Sequence, residues 1–189
     1  MIQPSWCTRM NHLTRSAAFA LVASIALASG AGAQRLLVRV RMQAFPHEIA
    51  LDTLVFSREV LAATPQAVFA AVHGVYTELK VPREVADSLA GVVGARRFRT
   101  SGTLGGQRFS VYLNCGEGLT GANADVWRLT IAIATFIEPV GEGRTRIGTG
   151  FVAAAEDMGG ASKDPVACGS FGLLESRIAR MVKEKLGLT

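Results

Sequence analysis

Two long alternating segments, DVWRLTIAIATFIEP and RTRIGTGFVAAAE, flank the short turn VGEG and leave this chain few ways to fold. In the first, Trp127, Leu129, Ile131 and Ile133 share one face, opposite Arg128 and Thr130. In the second, Ile147, Phe151 and Ala153 share a face. Alternation with period two is the pattern of half-buried strands, and a glycine-containing turn between two such runs makes an antiparallel hairpin. A hairpin of this length needs partner strands and a cover for its apolar face.

Two amphipathic helices can supply that cover. In ATPQAVFAAVHGVYTELKVP, Thr64 is placed to cap and Pro65 takes the first helical position, where the missing N–H costs nothing. Val68, Val72, Val75 and Leu79 then recur at helical spacing, Phe69 and Tyr76 widen the stripe, and Pro82 stops the helix. Gly74 inside it predicts close packing against a neighbour. The second helix is SFGLLESRIARMVKEKLG: Ser170 is the expected cap, Phe171, Leu174, Ile178 and Met181 the stripe, and Gly187 the stop.

Further strands are expected elsewhere. TLVFSREV reads as one, with Leu54, Phe56 and Val60 facing inward and Arg58 the exception on that apolar face. RRFRTSGT and QRFSVYLNC read as a second hairpin turning at Gly105 and Gly106. The fold class is therefore α+β: a curved antiparallel sheet of about five or six strands, with an early helix and a long C-terminal helix on one face. Residues 34–49 read as an N-terminal tail or edge strand, and residues 50–189 as a single domain.

Before these elements, Arg9 and Arg15 precede the apolar run SAAFALVASIALASG and the small-residue ending AGAQ. That order is a secretory signal peptide over residues 1–33, cut before Gln34, with Met1 or Met10 as the start. The run is about 15 residues, short of the roughly 20 that span a bilayer, so no membrane insertion is expected after cleavage. The mature chain of about 156 residues suits one domain. Its net charge falls from +5 to about +3, too little for nucleic-acid binding. The destination is the periplasm or the outside of a bacterial cell.

Cys115 and Cys168 are the two mature cysteines. An even count in an exported domain favours a disulfide, and this one would tie the end of a strand to the start of the final helix across a loop of about 50 residues. The same Cys115 opens CGEGLTG, whose Gly116, Gly118 and Gly121 satisfy a dinucleotide-loop spacing. That loop needs a helix N-terminus behind it. Here it runs through ANAD into an alternating strand, so its glycines read as turn residues.

Other chemical patterns are incomplete. His47 and Glu48 open an HExxH-like string in which Leu51 stands where the second histidine belongs, and no metal site is expected. No GxSxG elbow occurs. Arg96, Arg97 and Arg99 beside Phe98 read as the solvated face of a strand. Glu175 and Asp157 are two carboxylates that could stand close in space, although no spacing in the sequence links them. No cofactor is called for.

The segment LAATPQAVFAAVHGVYTELKVP resembles the opening of START-like, polyketide-cyclase-like domains of the helix-grip fold. There a strand leads to an Ala-rich boundary, then Pro and an apolar pair open the first helix; the matching positions here are Ala63, Thr64, Pro65, Val68 and Phe69. The order of elements across residues 50–187 resembles the same family. That resemblance implies a cavity between sheet and C-terminal helix holding an apolar small molecule or lipid. Its lining would be Trp127, Leu129, Ile131 and Phe151 from the strands, and Leu174, Ile178 and Met181 from the helix.

The same stripes would equally fill a solid core. The expected function is thus a non-enzymatic envelope protein binding an apolar small molecule or lipid. The alternatives are a structural or interaction domain with a filled core, and a cyclase-type enzyme. The last needs a polar group inside the cavity, for which Arg58 is the candidate.

Overall fold

The computed structural model describes residues 37–160, 162 and 164–188; the expected signal peptide lies outside them. Seven strands form the main sheet: β1 (Arg58–Leu61), β2 (Val85–Asp87), β3 (Val92–Thr100), β4 (Leu113–Asn114), β5 (Arg128–Pro139), β6 (Thr145–Glu156) and β7 (Val166–Ser170). Every pairing is antiparallel, in the order β2-β3-β5-β6-β7-β4, with β1 also against β6. The expected long hairpin is β5 and β6, paired without interruption from Arg128↔Glu156 to Pro139↔Thr145.

Among the described residues, three helices accompany the sheet: α1 (Pro65–Glu78), α2 (Asn123–Val126) and α3 (Leu173–Leu186). None of the described helices is long and apolar enough to cross a membrane. Thr64 caps α1 by accepting from Ala67 N–H, Pro65 opens it, and Gly187 ends α3 with a left-handed φ of 68°. Both long helices lie on one face. Val68, Val72 and Val75 of α1, its C-cap Leu79, and Leu174, Ile178 and Val182 of α3 pack with Leu129, Ile131, Ile133, Ile147 and Phe151. Where α1 crosses α3, Gly74 leaves room for the Lys185 side chain, which reaches Glu78.

One polar chain runs through this core. The Tyr76 hydroxyl bonds Thr135 Oγ1 at 3.1 Å, and Thr135 bonds its cross-strand partner Thr149 at 2.8 Å. Burial pushes the Tyr76 phenol well above its ordinary pKa, so it stays neutral and the hydroxyls satisfy one another.

The other face of the sheet is also covered, by residues 38–54. Val38, Val40, Met42 and Leu51 are buried against Val92, Ala132, Ala134, Val152 and Ala154. This segment forms a two-residue ribbon, Arg39–Val40 with Ile49–Ala50, followed by a 3-10 turn over Leu51–Leu54. The expected tail or edge strand is therefore a second layer. Small side chains on this face allow it to lie close: a Cβ on Gly150 would stand 1.9 Å from the Leu51 carbonyl oxygen.

Three strand expectations change. TLVFSREV opens on the last two residues of the 3-10 turn, and a strand begins only at Arg58 and runs to Leu61. Its Leu54, Phe56 and Val60 are exposed rather than inward: Leu54 and Phe56 lie in or just after the turn, and on the strand it is Leu61, not Val60, that faces the core. The second hairpin shrinks to Thr103–Leu104 with Gln107–Arg108 around the expected Gly105–Gly106 turn, and Phe109–Val111 makes a 3-10 turn. On β3, Arg96 and Arg97 together oppose Ala132, a bulge that returns Phe98 to the helix side and leaves both arginines exposed.

Candidate functional site

The outer edge of β6 is shared by two strands. β1 pairs with Thr145–Gly148 and β7 with Ala153–Ala155, so residues 149–152 have no strand partner on that side. A cleft of about 400 Å³ opens in this gap. Phe45, Ile49 and Leu54 reach it from the covering segment, Phe56 from the link to β1, Phe151 and Val152 from β6, and Cys168, Gly169, Ser170 and Glu175 from the junction of β7 and α3.

That junction is shaped by Gly172, which precedes α3 with φ 76°, a conformation L side chains rarely adopt. The Phe56 ring lies against it, 2.9 Å from where a Cβ would stand. Phe56 is otherwise 77% exposed. Ser170 does not cap the helix end directly, since the left-handed Gly172 is the capping residue. Instead its hydroxyl accepts from Gly172 N–H at 3.0 Å and donates to Glu175 Oε1 at 2.8 Å. Phe171, expected in the buried stripe, is exposed.

Glu175 is only 4% exposed, and its Oε2 has no hydrogen-bond partner. Burial raises its pKa, against the lowering effect of its own backbone N–H and of Ser170. It is a carboxyl group with one oxygen satisfied and one not, on the wall of an otherwise apolar cleft. Asp157 is occupied elsewhere, holding its own loop through Gly159 N–H and Ser162 N–H.

Cys115 and Cys168 form the disulfide, with Cα atoms 4.3 Å apart. Gly169 pairs with Asn114 and Ser170 with Leu113, so the bond extends the β4–β7 ladder by one step. It joins the residue that follows β4 to the middle of β7, not strand to helix as expected, because Cys168 lies inside β7. The final helix is fastened instead by Arg177, which donates to Gly105 O at 2.7 Å, Leu104 O at 3.4 Å and the Tyr112 hydroxyl.

CGEGLTG folds as its own two-residue ribbon, Glu117–Gly118 with Gly121–Ala122. A single helical turn, α2, follows where none was expected. Asn123 opens that turn, but its N–H already donates to Gly116 O and its side-chain amide to Cys115 O. The loop is closed on itself.

Of the residues implied to line a cavity, Leu129, Ile131, Leu174 and Ile178 are fully buried, Phe151 nearly so, and Trp127 and Met181 half-buried against them. All seven meet in one cluster beneath the helices. Among the described clefts, Phe151 alone of the seven contributes a wall. Arg58, the candidate polar group for the interior, is exposed and donates to Asp52 O.

A second cleft, about 330 Å³, lies between the covering segment and the sheet, with Arg41, Gln43, Arg97, Thr130 and Glu156 on its walls. Arg128 donates to Glu156 at 2.7 Å and, with Arg99, holds that carboxyl below its ordinary pKa. Among the described residues, no three of the His, Cys, Asp and Glu side chains stand together to hold a metal ion.

Glu175 stands out in the sequence only as an acidic residue without a role, although a signal for its burial was present. The buried positions of α3 are Leu174, Glu175, Ile178, Ala179 and Val182, a stripe two residues wide at each turn. Reading it one residue wide excludes Glu175 and Val182 and admits Phe171. No family model matches the chain, and no curated protein or solved structure does so either.

Proposed function

We propose that the mature chain is an exported, non-enzymatic protein that binds an apolar small molecule or lipid, held in the cleft at the split edge of the sheet. One observation carries the reading: Leu54 and Phe56 stand exposed over a space of about 400 Å³ whose walls are mostly apolar. Soluble proteins keep few large apolar side chains grouped around an open concavity unless something covers them. Export rests on the leader sequence, and a disulfide suits that compartment.

The helix-grip likeness is part of this proposal. The order strand, helix, antiparallel sheet and C-terminal helix agrees with it. In that architecture the ligand would lie beneath the helix; here Leu129, Ile131, Leu174 and Ile178 fill the space, so in our reading the ligand moves to the edge. The filled core favours a second reading, a structural or interaction domain whose contact surface includes the exposed Phe171 and Leu173.

Native mass spectrometry of the mature protein purified from a bacterial periplasm, with lipid extraction and uptake of the neutral dye Nile red, separates the two. Binding predicts a bound species or dye uptake that Phe56→Ser reduces. A protein that carries nothing and takes up no dye would leave the interaction domain as the reading.

A further inference from the structure

We propose that the edge cleft selects apolar molecules that carry a protonated amine, and that Glu175 is the group that receives it. This inference rests on the binding reading above and names the ligand class.

The argument begins with the unpaired oxygen. Glu175 Oε1 is held by the Ser170 hydroxyl, and Ser170 is itself fixed by Gly172 N–H, so the carboxyl group has a set orientation. Oε2 has neither a hydrogen-bond partner nor exposed surface. No described ion pair includes Glu175, and no Lys, Arg or His lines the cleft.

A purely hydrocarbon ligand would leave the buried Oε2 without a partner and gain nothing from it. A carboxylate-bearing ligand would add like charge. An ammonium group supplies both a donor and the opposite charge, and hydrogen bonds between ionised partners in a poorly solvated site are the strong ones. The apolar walls, chiefly Leu54, Phe56 and Val152, take the hydrocarbon part.

The test uses three probes of equal chain length at neutral pH, n-hexylamine, 1-hexanol and hexanoate, titrated into the isotopically labelled mature chain and followed through the backbone amides of Val152, Gly169 and Ser170. The amine is expected to bind about tenfold tighter than the alcohol, the factor a single charge-assisted bond supplies, with hexanoate weakest. Glu175→Gln keeps an acceptor for Ser170 and should abolish the preference for the amine over the alcohol.

If amine and alcohol bind alike at these amides, the role of Glu175 is overturned and the apolar cleft stands. If no probe moves them, the cleft reading falls and this inference with it. The head-group series on the unmutated chain decides the matter even if the variant does not fold.

Discussion

The two faces of the central hairpin are buried by opposite means. Beneath the helices, Leu129, Ile131, Ile133, Ile147 and Phe151 interdigitate with two regular stripes, and the packing is filled. On the reverse, Ala132, Ala134, Gly150 and Ala154 meet a single irregular segment with two residues of ribbon and one 3-10 turn. Regular helices present evenly spaced side chains to the grooves of a sheet; an irregular strap cannot, and spaces remain at its margins. The clefts walled by Phe45 both lie along that strap.

The sharpest way to break this comparison is to remove volume from the filled face. Ile131→Ala should destabilise the protein by about 2–5 kcal/mol in urea unfolding, since the surrounding helices cannot collapse onto the void. A loss well below that range would mean the helix face is loosely packed.

The edge joining the two faces is held covalently. Replacing both Cys115 and Cys168 by Ser should cost about 2–4 kcal/mol for a closed loop spanning a separation of 53 residues. The same loss should follow reduction of the unmutated protein. Equal stability before and after reduction would mean that β4 and β7 stay together without the bond.

The strap face should respond to added rather than removed volume. Gly150→Ala puts a methyl group into the Leu51 carbonyl and should lower stability by about 1–3 kcal/mol through displacement of the 3-10 turn. An unchanged melting temperature would show that the strap is free to lift.

The smallest effect concerns Glu175. Its folded pKa is raised, so folding favours the neutral acid. That contribution is fully present below the ordinary value near 4.5 and is lost as pH rises through the folded value. Glu175→Gln carries no such dependence. The melting temperature of the variant relative to the unmutated chain should therefore rise as pH increases from about that point; a difference that stays flat with pH would mean the carboxyl is solvated.

Much of this arrangement is legible in the residues. Thr64, Pro65 and Gly187 mark helix ends by local backbone chemistry, and the alternation of β5 and β6 marks their long pairing. The small-residue face was equally visible, as GTG in β6 and alternate alanines in β5, yet small residues at alternate positions do not announce what lies over them. Leu54, Phe56 and Val60 misled for the converse reason: apolar residues at even spacing look inward, yet a turn takes the first two out of the pleat and the strand that follows turns Leu61 inward in place of Val60. Glu175 was hidden because a charge beside an apolar stripe ordinarily points to water.

The sequence by itself determined the central hairpin, the two covering helices and the presence of two cysteines able to bond, because each depends on spacing and local conformation. Only the tertiary structure decided that residues 38–54 form a second cover, that β1 and β7 divide one edge of β6, and that Glu175 lies in the gap between them. Those features arise from which distant segments compete for the same edge and face, and a competition between segments far apart in the chain leaves no periodic trace in either one.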